Sequence, residues 1–95
     1  MAIDWITIHM DANIKSTEKI ETRQDFVIFL NELLVDFQAN KNGWENNDLE
    51  SFLEALSRYA EDIDGFYLNT NQRINADEVS WRVIADMLMG ARIYE

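Results

Sequence analysis

In three stretches of this chain, apolar residues return every three or four positions, the spacing of one face of an α-helix. Phe26, Phe29, Leu30, Leu33, Leu34 and Phe37 trace the first face. Thr22 precedes them as a plausible N-cap, with Asp25 three residues on, so a helix is predicted over 23–39. Leu49, Phe52, Leu53, Leu56, Ala60 and Ile63 trace the second face. Asn47 and Glu50 stand at capping-box spacing and Gly65 is the expected terminator, which predicts a helix over 47–64. Trp81, Ile84, Ala85, Leu88 and Ala91 make the third, with Ser80 as cap, over 80–94. Val83, Met87 and Tyr94 add a second apolar strip to that last helix, so it is either central or covered by something else. The expected core is Phe26, Phe29, Leu30, Leu33, Phe37, Phe52, Leu53, Leu56, Trp81, Ile84 and Leu88.

The joints are rich in Asn and Gly, "NKNG" at 40–43 and "DGFYLNTNQRINAD" at 64–77, and the chain has no proline. Asn tolerates the left-handed region, so such joints turn without proline. Near the start, Ile6, Ile8 and Met10 alternate with Thr7, His9 and Asp11. That alternation suggests a strand, for which "FYLN" at 66–69 is the local candidate partner; an extended arm lying on the helices accounts for it equally well. The expected fold is mainly α: one domain over 1–95, a small bundle of three main helices, with residues 1–15 as an arm or short strand.

Composition fits that picture. Ninety-five residues suffice for one self-standing core and leave no room for a second. With no cysteine, neither a disulfide framework nor a thiolate metal site is available. "MAIDWITIHM" has an acid at position 4 and no basic flank, unlike a secretory signal. No apolar run approaches the roughly 20 residues of a membrane helix, and a cytoplasmic protein is expected. Eighteen acids against eight bases leave a formal charge of −10. That field repels nucleic acid and anionic membranes and attracts basic surfaces.

The charge is not spread evenly. Between 45 and 64 there are seven acids and one base, Arg58. On a helix, Glu50, Glu54, Ser57 and Glu61 form one ridge about 16 Å long. Like charges four residues apart oppose folding slightly, and Glu61, Asp62 and Asp64 stand at the helix end where the dipole disfavours them. A local rule broken without compensation often marks a functional surface; an untuned solvated face is the plainer explanation. Trp44, just before the cap, either folds back on the helix start or meets a partner. Of the neighbours Phe66 and Tyr67, Tyr67 is expected at the surface beside Asp62 and Asp64. The candidate partner-binding residues are therefore Trp44, Glu45, Glu50, Glu54, Glu61, Asp62, Asp64 and Tyr67.

Signals for chemistry are missing. "DIDG" at 62–65 hints at a calcium loop, but position twelve of that template falls on Asn71 rather than Glu. His9 is the only histidine, so no multi-His metal site or His-based nucleophile pair exists, and there is no Gly-rich phosphate loop. Neither an enzyme, a cofactor nor a metal is expected.

"WENNDLESFLEAL", "DGFYLN", "SW" at 80–81 and the terminal "YE" together resemble an uncharacterised family of small bacterial proteins. Its pattern runs W-E-N, L-x-x-F-L-E-A, D-G-Y-Y-x-N, P-S-W and A-x-x-Y-E. The matching positions are Trp44, Glu45, Asn46, Leu49, Phe52, Leu53, Glu54, Ala55, Asp64, Gly65, Phe66, Tyr67, Asn69, Ser80, Trp81, Tyr94 and Glu95. Val79 replaces the proline and Phe66 the first tyrosine. The resemblance spans about 20–95 and implies a helical core, with no activity attached. In charge and layout, though not in sequence, the chain is also similar to colicin-type immunity proteins. The expectation is an acidic cytosolic binding protein, most concretely an immunity protein that neutralises a cationic toxin domain. The alternative is a small structural or regulatory adaptor, with self-association through the last helix.

Overall fold

The computed structural model describes residues 16–95. The alternation at 3–10, with its choice between arm and strand, lies outside the described residues, as does His9. Three α-helices follow: α1 (Arg23–Ala39), α2 (Leu49–Asn69) and α3 (Trp81–Ala91), preceded by a 3-10 turn at Thr17–Lys19. The described residues contain no strand, and "FYLN" belongs to α2. The architecture is the expected mainly helical bundle.

α1 begins as its sequence predicts. The Thr22 hydroxyl accepts from the Asp25 N–H at 3.1 Å, and the Asp25 carboxylate accepts from the N–H groups of Glu21 and Thr22. These bonds, the Glu21 one foremost, hold the Asp25 carboxyl below its ordinary 3.8. α3 is capped as predicted by Ser80, whose hydroxyl accepts from the Val83 N–H at 3.1 Å.

α2 departs from prediction at both ends. Its cap is Asp48, not Asn47: the carboxylate accepts from the Ser51 N–H at 2.8 Å and hydroxyl at 2.9 Å. At the other end the helix runs through Gly65 for another turn. Glycine costs a helix about 1 kcal/mol. Burying Ile63 and Tyr67, both 1% exposed, is worth about 2 kcal/mol per large side chain, so packing overrides the local preference. The true stop is Asn71, with φ of 57°. Its N–H reaches the Leu68 carbonyl and the Gln72 N–H the Tyr67 carbonyl, the paired bonds of a Schellman ending.

α3 is the central element and packs against α1, α2 and the 3-10 turn. Its second apolar strip is covered: Val83 is buried, and Met87 and Tyr94 are half-buried. The crossing with α2 is close. A Cβ on Gly90 would lie 2.3 Å from the Tyr59 ring, and Ala55 and Ala91 beside it are fully buried. The main core joins Ile20, Phe29, Leu33, Trp44, Ala85 and Met89, with Phe26, Phe37, Phe52 and Leu88 packed at its margin.

Three expected core residues are exposed: Leu30 at 39%, Leu53 at 53% and Trp81 at 37%. The apolar stripe of α1 is wider than the face it buries, and Leu30 lies on its outer edge. α2 is rotated about its axis relative to the predicted stripe. It buries Ala55, Ile63 and Tyr67 with Tyr59 half-buried, a row at i+4 spacing, and turns Leu49 and Leu53 outward. Tyrosines accept that role because each buries a large ring when its hydroxyl finds a partner. No helix among the described residues is long and apolar enough to cross a membrane.

Candidate functional site

The outer face of α2 carries the acids where the sequence placed them. Glu50, Glu54 and Glu61 are all exposed, with Ser57 between them and Glu45, Asp62 and Asp64 exposed nearby. Among the described residues, the ridge has an ion pair with one cation. Arg58 Nη1 stands 3.8 Å from Glu54 Oε1 with both side chains about half in solvent, a pair worth little. Asp62 accepts a hydrogen bond from the Tyr94 hydroxyl. Leu49 and Leu53 flank Glu50 and Glu54 at 73% and 53% exposure, so the acidic face has an apolar edge.

That edge leads into an open cleft of about 250 Å³ at the start of α2, lined by Phe37, Trp44, Asn46, Asn47, Asp48, Leu49 and Phe52. Its walls are aromatic: Trp44 meets Phe37 edge-on at 4.9 Å and stacks near Phe52 at 5.9 Å. The Lys41 ammonium lies 5.2 Å from the centre of the Phe37 ring.

Trp44 and Tyr67, both candidates for partner contact, are built into the interior. Trp44 takes the first of its two expected roles and folds back on the start of α2 against Phe52, whereas Tyr67 was expected at the surface. Trp44 is 7% exposed, and its indole Nε1 donates to Asp36 Oδ2 at 2.8 Å. The same oxygen accepts from Arg92 Nη1 at 3.0 Å, while Arg92 Nε donates to the Met89 carbonyl at 3.0 Å. Asp36 and Arg92 are essentially sealed, and Asp36 Oδ1 and Arg92 Nη2 have no hydrogen-bond partner among the described residues. Burial pushes the Arg92 guanidinium down, and the Asp36 carboxylate opposes that shift. Sequence reasoning missed this pair. One signal was available: Asp36 falls three residues after Leu33 and seven after Phe29, on the apolar face of α1.

Tyr67 is buried because its hydroxyl has a carboxylate to meet. It donates to Asp86 Oδ2 at 2.6 Å, and the Thr17 hydroxyl donates to Asp86 Oδ1. Burial raises the Asp86 carboxyl above its ordinary 3.8, against the lowering effect of those two bonds and of Arg82. Burial, then the Asp86 bond, raises the Tyr67 phenol well above its ordinary 10.0. Phe66 is the half-buried neighbour and lies 6.2 Å from the Tyr59 ring.

Asn46 closes the bundle. Its side-chain amide donates to the carbonyls of Ala91 at 2.9 Å and Tyr94 at 2.8 Å, and its backbone N–H donates to the Arg92 carbonyl. The segment before α2 is thereby fastened to the end of α3. Residues 22–95 match the model of a family of unknown function, DUF7660. The chain belongs to the DUF7660 family. No curated protein and no solved structure matches it.

The DUF7660 region starts on the cap of α1 and takes in all three helices. It includes the W-E-N segment, where Trp44 and Asn46 face inward and Glu45 between them is exposed. Neither buried carboxylate of the DUF7660 fold, Asp36 or Asp86, lines the cleft. Residues 62–65, the segment with a calcium-loop hint, continue α2 as regular helix. The outer face of α2 thus presents a carboxylate row, the exposed Leu49 and Leu53 and an aromatic-walled cleft.

Proposed function

We propose that the protein is an acidic binding protein that captures a basic protein partner on the outer face of α2. Its most concrete form is an immunity protein that neutralises a cognate cationic toxin domain, such as a nuclease, by direct contact. The observation that carries this reading is the row Glu50, Glu54 and Glu61, exposed and matched among the described residues by a single cation, beside the exposed Leu49 and Leu53. The row adds little to folding: Glu50 complements the dipole in the first turn of α2, but like charges at i,i+4 oppose the helix. Its long-range field speeds encounter with a basic surface. Leu49 and Leu53 then supply the apolar contact that the sequence assigned to Trp44 and Tyr67, because short-range burial sets how slowly a complex separates.

The likeness to immunity proteins rests on small size, acidity and helical layout. Tyr67, a candidate contact residue in the sequence, does not contribute, because it is interior. An adaptor acting through the last helix finds less support, since the second strip of α3 is covered. The test compares immobilised protein with its Glu50→Gln, Glu54→Gln, Glu61→Gln variant in low-salt lysate of the source organism. The expected result is a basic protein retained by the first and lost by the second, whose toxicity on expression is suppressed by co-expressing this chain. Retention of the same proteins by both would overturn the reading.

A further inference from the structure

The outer face of α1 is unlike the rest of this molecule. Val27, Ile28, Leu30, Leu34 and Val35 are 37%, 45%, 39%, 53% and 57% exposed. The remaining exposed positions of that face are uncharged as well: Gln24, Asn31 and Gln38. The three carboxylates of α1, Asp25, Glu32 and Asp36, all lie off it and are half-buried or buried. Arg23, at the helix start, is its only charge. A helix exposed to water in a chain of net charge −10 would be expected to carry acids there, and it carries none.

We propose that this stripe is the contact surface of a homodimer, in which α1 packs antiparallel on α1 of a second copy. A basic partner would gain nothing from an uncharged stripe. Two copies of a strongly acidic chain repel each other everywhere their acids face, and this face is where they can approach without that cost. The stripe is also self-complementary, as a two-fold interface requires. With the axis at Asn31, Val27 of one copy meets Val35 of the other, Ile28 meets Leu34, and Gln24 meets Gln38. Arg23 then reaches the C-terminal end of the other α1, whose last turn holds no basic residue and whose free carbonyls carry partial negative charge. The Asn31 amides, face to face, each supply donor and acceptor to the other. A helix of about 25 Å contributes on the order of 1,000 Å² in total, the threshold for a biological interface and below the size of permanent ones, so the dimer is a reversible one.

This proposal is independent of the reading of α2. It is tested by sedimentation of the full chain from about 1 to 500 μM at about 50 and 500 mM salt. The expected result is a monomer–dimer equilibrium that tightens severalfold at the higher salt, because screening removes the repulsion between two acidic bodies. Leu34→Glu and Leu34→Lys should each weaken it at least tenfold with unchanged melting temperature, since the side chain is half in solvent. The Lys variant lowers net charge, so its effect cannot come from added global repulsion. Glu50→Gln, Glu54→Gln, Glu61→Gln should leave the dimer intact. A monomer at every concentration would overturn the proposal and assign the stripe to residues 1–15 or to another protein. So would a dimer indifferent to both Leu34 variants, or one that salt weakens.

Discussion

Asp36 and Arg92 are 56 residues apart in the chain and 3.0 Å apart in space, and water reaches neither. Their pairing joins α1 to the residue just beyond α3, with the Trp44 indole donating to the same carboxylate oxygen. Taking two such charges out of water costs several kcal/mol, offset by their attraction only when both are present.

Removing one partner is therefore expected to be worse than removing both. Asp36→Ala should destabilise by about 3–5 kcal/mol, because it strands a buried guanidinium. Asp36→Leu combined with Arg92→Met should recover most of that loss. Chemical denaturation of Asp36→Leu, Arg92→Met and their combination gives the coupling directly. A double variant as unstable as the sum of the singles would show that the pair itself contributes little.

The two helical glycines should respond to alanine with opposite signs. Nothing lies within 4 Å of a Cβ built on Gly65, so Gly65→Ala should stabilise by about 0.5–1 kcal/mol through helix propensity. At Gly90 the new methyl would overlap the Tyr59 ring, so Gly90→Ala should cost about 1–3 kcal/mol. Thermal melts of both variants check this, and a destabilised Gly65→Ala would mean that α2 ends where its glycine suggests.

Stability should respond to pH at three places. Asp86 is raised above 3.8 by burial, so the folded chain binds that proton more tightly than the unfolded chain. Its ionised form is a cost at neutral pH, relieved as pH falls through the raised value towards 3.8. Asp25 and Asp48 are held below 3.8 by their cap bonds, so their contribution is present above 3.8 and is lost as pH falls below it. Tyr59 and Tyr67 are raised above 10.0 by burial, and unfolded tyrosine ionises first. Above pH 10 stability should fall by up to about 1.4 kcal/mol per pH unit for each of them. Denaturant midpoints from acid to alkaline pH test the profile. Asp86→Asn should remove the rise on mild acidification, and Tyr67→Phe should lessen the alkaline slope.

For the acidic row, Glu50→Gln, Glu54→Gln, Glu61→Gln should leave stability equal or a few tenths of a kcal/mol higher. With a partner in hand, the same variant should associate at least tenfold more slowly and with a flatter salt dependence. Leu49→Ala and Leu53→Ala should instead raise the dissociation rate. Stopped-flow mixing at two ionic strengths separates these effects, and an unchanged association rate in the triple variant would make the row a solvated face and nothing more.

What the sequence revealed about this fold was mostly local. The start of α1 could be read because Thr22 and Asp25 satisfy each other within four residues. The ridge could be read because a helical period fixes which acids share a side. Tyr67 could not, because its burial depends on Asp86 and Thr17, one 19 residues later and the other 50 earlier. The end of α2 was misplaced for the same reason: Gly65 states a local preference, while Ile63 and Tyr67 answer to α3. Asp36 was the clearest missed signal, a carboxylate on an apolar face that required a cation from elsewhere in the chain.

The Asn46 clasp has a consequence for how this molecule opens. The amide and side chain of Asn46 are bonded to Arg92, Ala91 and Tyr94, so the loop before α2 and the last turn of α3 cannot fray separately. In native-state hydrogen exchange these two regions, distant in sequence, should open as one cooperative unit with a shared free energy. Asn46→Ala should split that unit, speeding exchange at the end of α3 while the middle of α2 stays protected.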